Sequence, residues 1–125
     1  MYEDENVVIY DGSETRLDDH PYISKRSGRP RCEQHLMSSP ETGMLVKLIR
    51  YPAGQPCPIH HHEKAKAMYV LKGHLRTEHG VYGPGSFIWW KPGAEMFHGS
   101  TADEDCDCLF IMDGPYDFFY HGEEV

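Results

Sequence analysis

The chain has 125 residues, with 12 Lys and Arg against 20 Asp and Glu, for a formal net charge of −8. That length suits one domain with a core of its own, and the acidic balance argues against a general nucleic-acid binder, which carries a basic excess or stripe. No apolar run reaches the roughly 18 residues that a spanning helix needs, and the acidic start MYEDENVVIY lacks a signal-like apolar stretch, which predicts a cytoplasmic location.

No segment repeats apolar residues with helical spacing. Short apolar or alternating runs closed by Gly, Pro or Asp recur instead. In chain order they cover residues 6–10, 44–51, 67–71, 74–78, 86–90, 96–101 and 106–112. Turn signals at about 8–12-residue intervals predict an all-β sandwich or barrel. Residues 1–40 read as a less regular N-terminal segment and residues 41–118 as the barrel core. The basic stretch 25–31 lies among Gly, Pro and Ser and reads as a solvated loop. The C-terminal stretch from Tyr116 is aromatic and acidic, with Phe118, Phe119 and Tyr120 placed to pack on the barrel edge or across a subunit interface.

The chain holds nine His, three of them consecutive in Pro58-Ile59-His60-His61-His62-Glu63. Alternate residues of a strand share a face, roughly 6–7 Å apart. His60 and His62 therefore project together and His61 projects away. Two such imidazoles suit one Zn, Fe, Cu or Ni ion, and a third ligand must come from another strand. His98, behind the Pro92-Gly93 turn, is the candidate.

The pattern of Gly54, His60 and His62, then Gly73, resembles the first motif of the cupin superfamily, and Gly85, Pro92-Gly93 and His98 resemble the second. The resemblance implies a jelly-roll β-sandwich. Residues 77–87 and 92–98 are similar to the cupin domain of ChrR-type anti-sigma factors. Residues 39–42, 52–54 and 98–99, with Gly114-Pro115, resemble the acetylacetone-cleaving dioxygenases, which hold non-haem Fe(II) with three histidines. One departure stands out: Lys66 occupies the place, four residues after His62, where cupins usually carry a glutamate ligand. An ammonium beside a dication is unfavourable. Three readings follow: a three-histidine site, a carboxylate supplied instead by Glu63 or Glu95, or a pocket that binds its ligand without metal.

The resemblance implies one divalent transition metal, Fe(II) foremost with Zn, Mn or Ni as alternatives, held by His60, His62 and His98. It further implies a small dicarbonyl substrate cleaved with dioxygen. If Lys66 takes the inward place that the resemblance gives to the glutamate, Met68 and Val70 share its face, the alternative being a surface-facing lysine after a one-residue bulge; if His98 faces inward, Met96 shares its face. Phe87 and Trp89 are assigned to the substrate pocket, although parity equally allows Ile88 and Trp90. The outward Trp of the pair needs a partner surface, most simply a homodimer contact. Glu95 is the candidate catalytic carboxylate, three residues before His98, and Lys66 could pair with it or with an anionic substrate. Cys57 is an extra soft-ligand candidate. Cys32, Cys106 and Cys108 read as reduced thiols. Two other functions compete with the oxygenase: a non-catalytic, ChrR-like binding module, disfavoured by the single-domain length, and an isomerase or lyase using Glu95 or Tyr69 as acid or base.

Overall fold

The structure is a computed structural model that describes residues 1–125. It contains thirteen strands: β1 (Tyr2–Glu3), β2 (Val8–Ile9), β3 (Pro21–Ile23), β4 (Pro30–Ser38), β5 (Leu45–Tyr51), β6 (Pro58–His61), β7 (Lys66–Lys72), β8 (Leu75–Thr77), β9 (Gly80–Tyr82), β10 (Phe87–Trp90), β11 (His98–Gly99), β12 (Cys106–Met112) and β13 (Phe119–Glu124). The helical content is two single turns of 3-10 helix, Gly12–Glu14 and Leu17–Asp19. No helix is long and apolar enough to cross a membrane.

A six-stranded sheet in the order β10-β7-β12-β5-β4-β3 forms one layer. Opposite it lie β11-β8-β9 and β13-β6, tied together where His60 and Met96 exchange backbone hydrogen bonds of 2.9 and 2.8 Å. All named pairings are antiparallel. This is the jelly-roll arrangement expected from the sequence.

Alternation builds the core. In β12, Cys106, Cys108, Phe110 and Met112 are buried while the residues between them are half-buried. They pack with Ile49, Met68, Val70, Leu75, Trp90 and Met96. Burying a large apolar side chain contributes about 1.5–3 kcal/mol, so this cluster is the main anchor of the two layers. The turn after β7 needs Gly73: its φ is +74°, and a Cβ there would strike the Asp105 backbone.

The ordered sheet extends past both ends of the 41–118 core. β4 is a nine-residue strand inside the segment read as irregular, and β13 follows residue 118. Hydrophobic alternation fails in β4 for a physical reason. Arg31 lines a polar cavity rather than the apolar core, Glu33 pairs with it and with Lys47, and the ladder to β5 slips between His35 and Met37.

Candidate metal and substrate site

Strand β6 delivers the histidine pair. His60 and His62 are 2% and 1% exposed, whereas His61 is turned to the other face, where its Nδ1 meets His121 Nε2 at 2.7 Å. Short β11 brings in His98 from the neighbouring strand. The His60 ring centroid lies 4.8 Å from that of His62 and 5.0 Å from that of His98. The three imidazoles therefore meet in one buried place.

Their outer nitrogens are held from behind. His60 Nδ1–H donates to the Pro58 carbonyl at 2.8 Å. His62 Nδ1–H donates to the Asp117 carbonyl, with the Asp117 carboxylate 3.3 Å away. Such bonds set the tautomer and leave each Nε2 lone pair free. His62 Nε2 is buried with no hydrogen-bond partner. His98 is locked through its backbone: its N–H donates to Cys57 Sγ at 2.9 Å, and the Cys57 thiol donates back to the His98 carbonyl. Burial pushes that thiol up to about 11, so Cys57 is a protonated latch and not a soft ligand.

Burial, reinforced by the nearby Lys66 charge, lowers His60 to about 3 and His62 to about 4, and holds His98 well below its usual value. All three are neutral at pH 7, the state in which imidazole ligates. Neutrality and the orphaned His62 Nε2 suit nitrogen ligands, but the three side chains do not surround a common metal position, because Lys66 Nζ takes His98 Nε2. No carboxylate joins them: Glu63 is exposed, and Glu95 is 62% exposed on its side chain and pairs with His121 at 2.9 Å. The expectation that Glu95 serves His98 or substrate is corrected, because Glu95, in the loop before the Met96–His60 bridge, is exposed and pairs with His121.

Lys66 is the residue that enters the site. It is 1% exposed, and its Nζ contacts His98 Nε2 and stands 4.0 Å from Met96 Sδ. It lies 4.7 Å from the Phe110 ring centroid and 5.4 Å from that of Trp90. No acid pairs with it, and burial lowers its pKa well below the ordinary lysine value.

The other pocket assignments divide. Met68, Val70 and Met96 are buried core residues behind the histidines and do not line the cavity. Phe87 and Trp89 are 63% and 55% exposed on the outer face of β10, so their assignment to the pocket is overturned. The pairing of Ile88 with Met68 and of Trp90 with Lys66 turns that second set inward, and Trp90 Nε1–H donates to Glu78 at 2.9 Å. Tyr69 is also exposed and does not reach the site, which leaves the isomerase or lyase reading without either acid–base candidate.

The cavity in front of the histidines has a volume of about 380 Å³, within the range of small-ligand pockets. Much of its wall comes from residues that sequence reasoning missed. Tyr51, Phe110, Tyr116 and Phe118 supply aromatic surface, and Phe118 stacks on His60 with centroids 4.4 Å apart. The β3–β4 hairpin supplies Lys25, Arg26, Arg29 and Arg31, joined by Lys47 from β5. The stretch 25–31 thus contributes Lys25, Arg26, Ser27, Arg29 and Arg31 to the cavity wall, while Lys25, Arg26, Gly28 and Pro30 also remain exposed to solvent. Ser24 fixes this hairpin by accepting from Gly28 N–H at 2.8 Å and donating its own N–H to the Arg29 carbonyl at 3.0 Å. The detectable signal was the basic clustering itself, set against an acidic chain.

Comparison with known proteins agrees with this architecture. The model of the ChrR cupin-like domain matches residues 15–117. No curated protein matches the chain. An RmlC-like cupin protein from Ralstonia eutropha JMP134 superposes with a TM-score of 0.75 at 23% identity, covering 92% of this chain and 72% of that one. The complex of Rhodobacter sphaeroides SigE with the anti-sigma ChrR gives 0.65 at 26% identity, covering 78% of this chain and 52% of that one. The polyketide cyclase RemF from Streptomyces resistomycificus gives 0.72 at 16% identity, covering 94% and 87%. On fold, core and sequence pattern together, the chain belongs to the family of ChrR cupin-like domains.

Proposed function

We propose that this protein is a metal-dependent enzyme of the cupin superfamily, using His60, His62 and His98 to hold one divalent transition metal, with Fe(II) foremost. Zn, Mn and Ni suit the same nitrogen donors. The observation that carries this reading is the buried, partnerless Nε2 of His62 beside two further neutral imidazoles at the floor of a cavity. The reaction class is dioxygen-dependent cleavage of a small enolisable dicarbonyl. A bound ion would supply Lewis acidity toward the substrate oxygens and, as Fe(II), redox chemistry with dioxygen.

The remaining work falls to the chain's own residues. Lys66 presents N–H donors at the cavity floor, toward an oxygen of the bound dicarbonyl. Tyr51, Phe110 and Phe118 exclude water around it, which strengthens each polar contact. Pro58 and Asp117 keep His60 and His62 oriented.

A second reading rests on a specific contact. Lys66 Nζ meets His98 Nε2, an atom that a metal would take. A pocket that keeps this contact would be a metal-free binding module. Anaerobic loading with Fe(II), followed by dioxygen uptake over a panel of β-dicarbonyls, separates the two. Substrate-dependent uptake that is lost in His98→Ala supports the enzyme. Protein that takes up no metal and consumes no dioxygen supports the binding module.

A further inference from the structure

The chain carries a net charge of −8, yet six of its 12 Lys and Arg residues line one cavity, and no Asp or Glu lines it. Only two carboxylates answer those six basic side chains. Glu33 is shared between Arg31 and Lys47, and Glu124 pairs with Arg29. Arg26 has no acid partner. Its guanidinium lies 4.4 Å from the centroid of Phe118, the same ring that stacks on His60, so a positive charge sits on the aromatic wall that packs against the histidines. Lys47 is 9% exposed and lies 4.6 Å from the Phe110 ring centroid, and Lys66 closes the floor. Concentrating like charges in a half-enclosed, low-dielectric space is unfavourable unless an anion relieves it.

We propose that the cavity binds a small organic carboxylate with a planar, unsaturated body, its anionic group held by Arg26, Arg31 and Lys47 and its body lying between the aromatic walls and the three histidines. Arginine suits a carboxylate because its planar fork offers two parallel donors. The aromatic walls suit a flat body. The cavity volume of about 380 Å³ admits a molecule of roughly ten to twenty heavy atoms. The inference deepens the function proposed above by naming its substrate class, and it rests on that reading only in taking this cavity as the substrate site. It also redirects the choice of substrate from a neutral, apolar dicarbonyl to one carrying a carboxylate.

The test is calorimetric titration of the full chain, as purified and again after chelation, with benzoate, phthalate, benzamide and inorganic phosphate. Benzoate or phthalate should bind one per chain, at least about tenfold tighter than benzamide, with affinity falling as NaCl is raised. Arg26→Gln should weaken that binding by about tenfold to a hundredfold, the usual range for one charge-assisted bond, and Arg26→Lys should recover part of it. Arg26 is exposed, so neither change threatens folding. Equal binding of benzamide and benzoate, tighter binding of phosphate than of either carboxylate, or no binding of any carboxylate would overturn the inference. Carboxylate binding that persists in chelated protein while metal uptake fails would separate this inference from the fate of the metal reading.

Discussion

Lys66→Met is the most direct perturbation of the buried amine. Methionine keeps the length of the side chain and removes the group that must be desolvated. Lys66 is 1% exposed and faces no carboxylate, so the fold gains little Coulomb energy to offset that cost. The substitution forfeits the contacts with the Phe110 and Trp90 rings, each worth about 0.5–2 kcal/mol. Replacing a buried ion pair or triad with packed apolar residues ranges from neutral to stabilising by about 1–4 kcal/mol in other folds, and an amine without a partner lacks even the pair's Coulomb gain. A net gain of about 1–2 kcal/mol is expected, which for a domain of this size raises Tm by roughly 3–10 °C. The sign of its pH dependence is also determined. The lysine pKa is depressed in the fold, so wild-type stability is full above the unfolded value near 10.4 and declines as pH falls below it. The gap between variant and wild type should therefore be wide at pH 7 and narrow toward pH 10. Scanning calorimetry of metal-free protein at both pH values measures this. A variant less stable than wild type at pH 7, or a gap that ignores pH, would refute the argument.

Further outcomes follow from the same geometry. Lys66→Glu restores the carboxylate that the fold usually carries beside its histidines and should tighten Zn or Co(II) binding at least about tenfold, as read by competition with a chelator. Acid titration should destabilise the metal-free protein. His60 and His62 have folded values of about 3 and 4, below an unfolded value near 6.5. Their stabilisation is present above pH 6.5 and drains as pH falls toward 4, at up to about 2.7 kcal/mol per pH unit for the pair. Urea unfolding at pH 7, 6 and 5 checks this, and equal stability at all three contradicts it. Gly73→Ala meets both a φ of +74° and the Asp105 backbone and should cost about 2–4 kcal/mol or prevent folding, as measured by soluble yield and Tm.

The parts of the site legible in the sequence were those governed by strict alternation. His60 and His62 share a face, and His61 leaves it, because strand parity allows nothing else. Lys66 was legible as a departure from a motif, and the structure shows it buried against His98. Alternation alone gave no way to choose between the two faces of β10. Only the ladder to β7 turns Trp90 inward and leaves Phe87 and Trp89 outside. Glu95 was near His98 in sequence, but the backbone bridge between Met96 and His60 sends it to the opposite side. The cavity wall was the least visible part. A strand lined with Arg and Glu resembles a loop by hydropathy, and Phe118 reaches His60 only because β13 pairs with β6. The opening charge balance also acquires a different meaning. An acidic surface coexists with a basic cavity, so the net charge that argues against a nucleic-acid partner does not describe what the cavity binds.

The central claim is that His60, His62 and His98 act as one donor set. Titration of chelated protein with Co(II), followed by visible absorption, tests it most directly. The account predicts one ion per chain in wild type, and loss of that binding in His62→Ala and in His98→Ala with both variants still folded by circular dichroism. Absence of stoichiometric binding in the wild type, or binding that survives both substitutions, would contradict it.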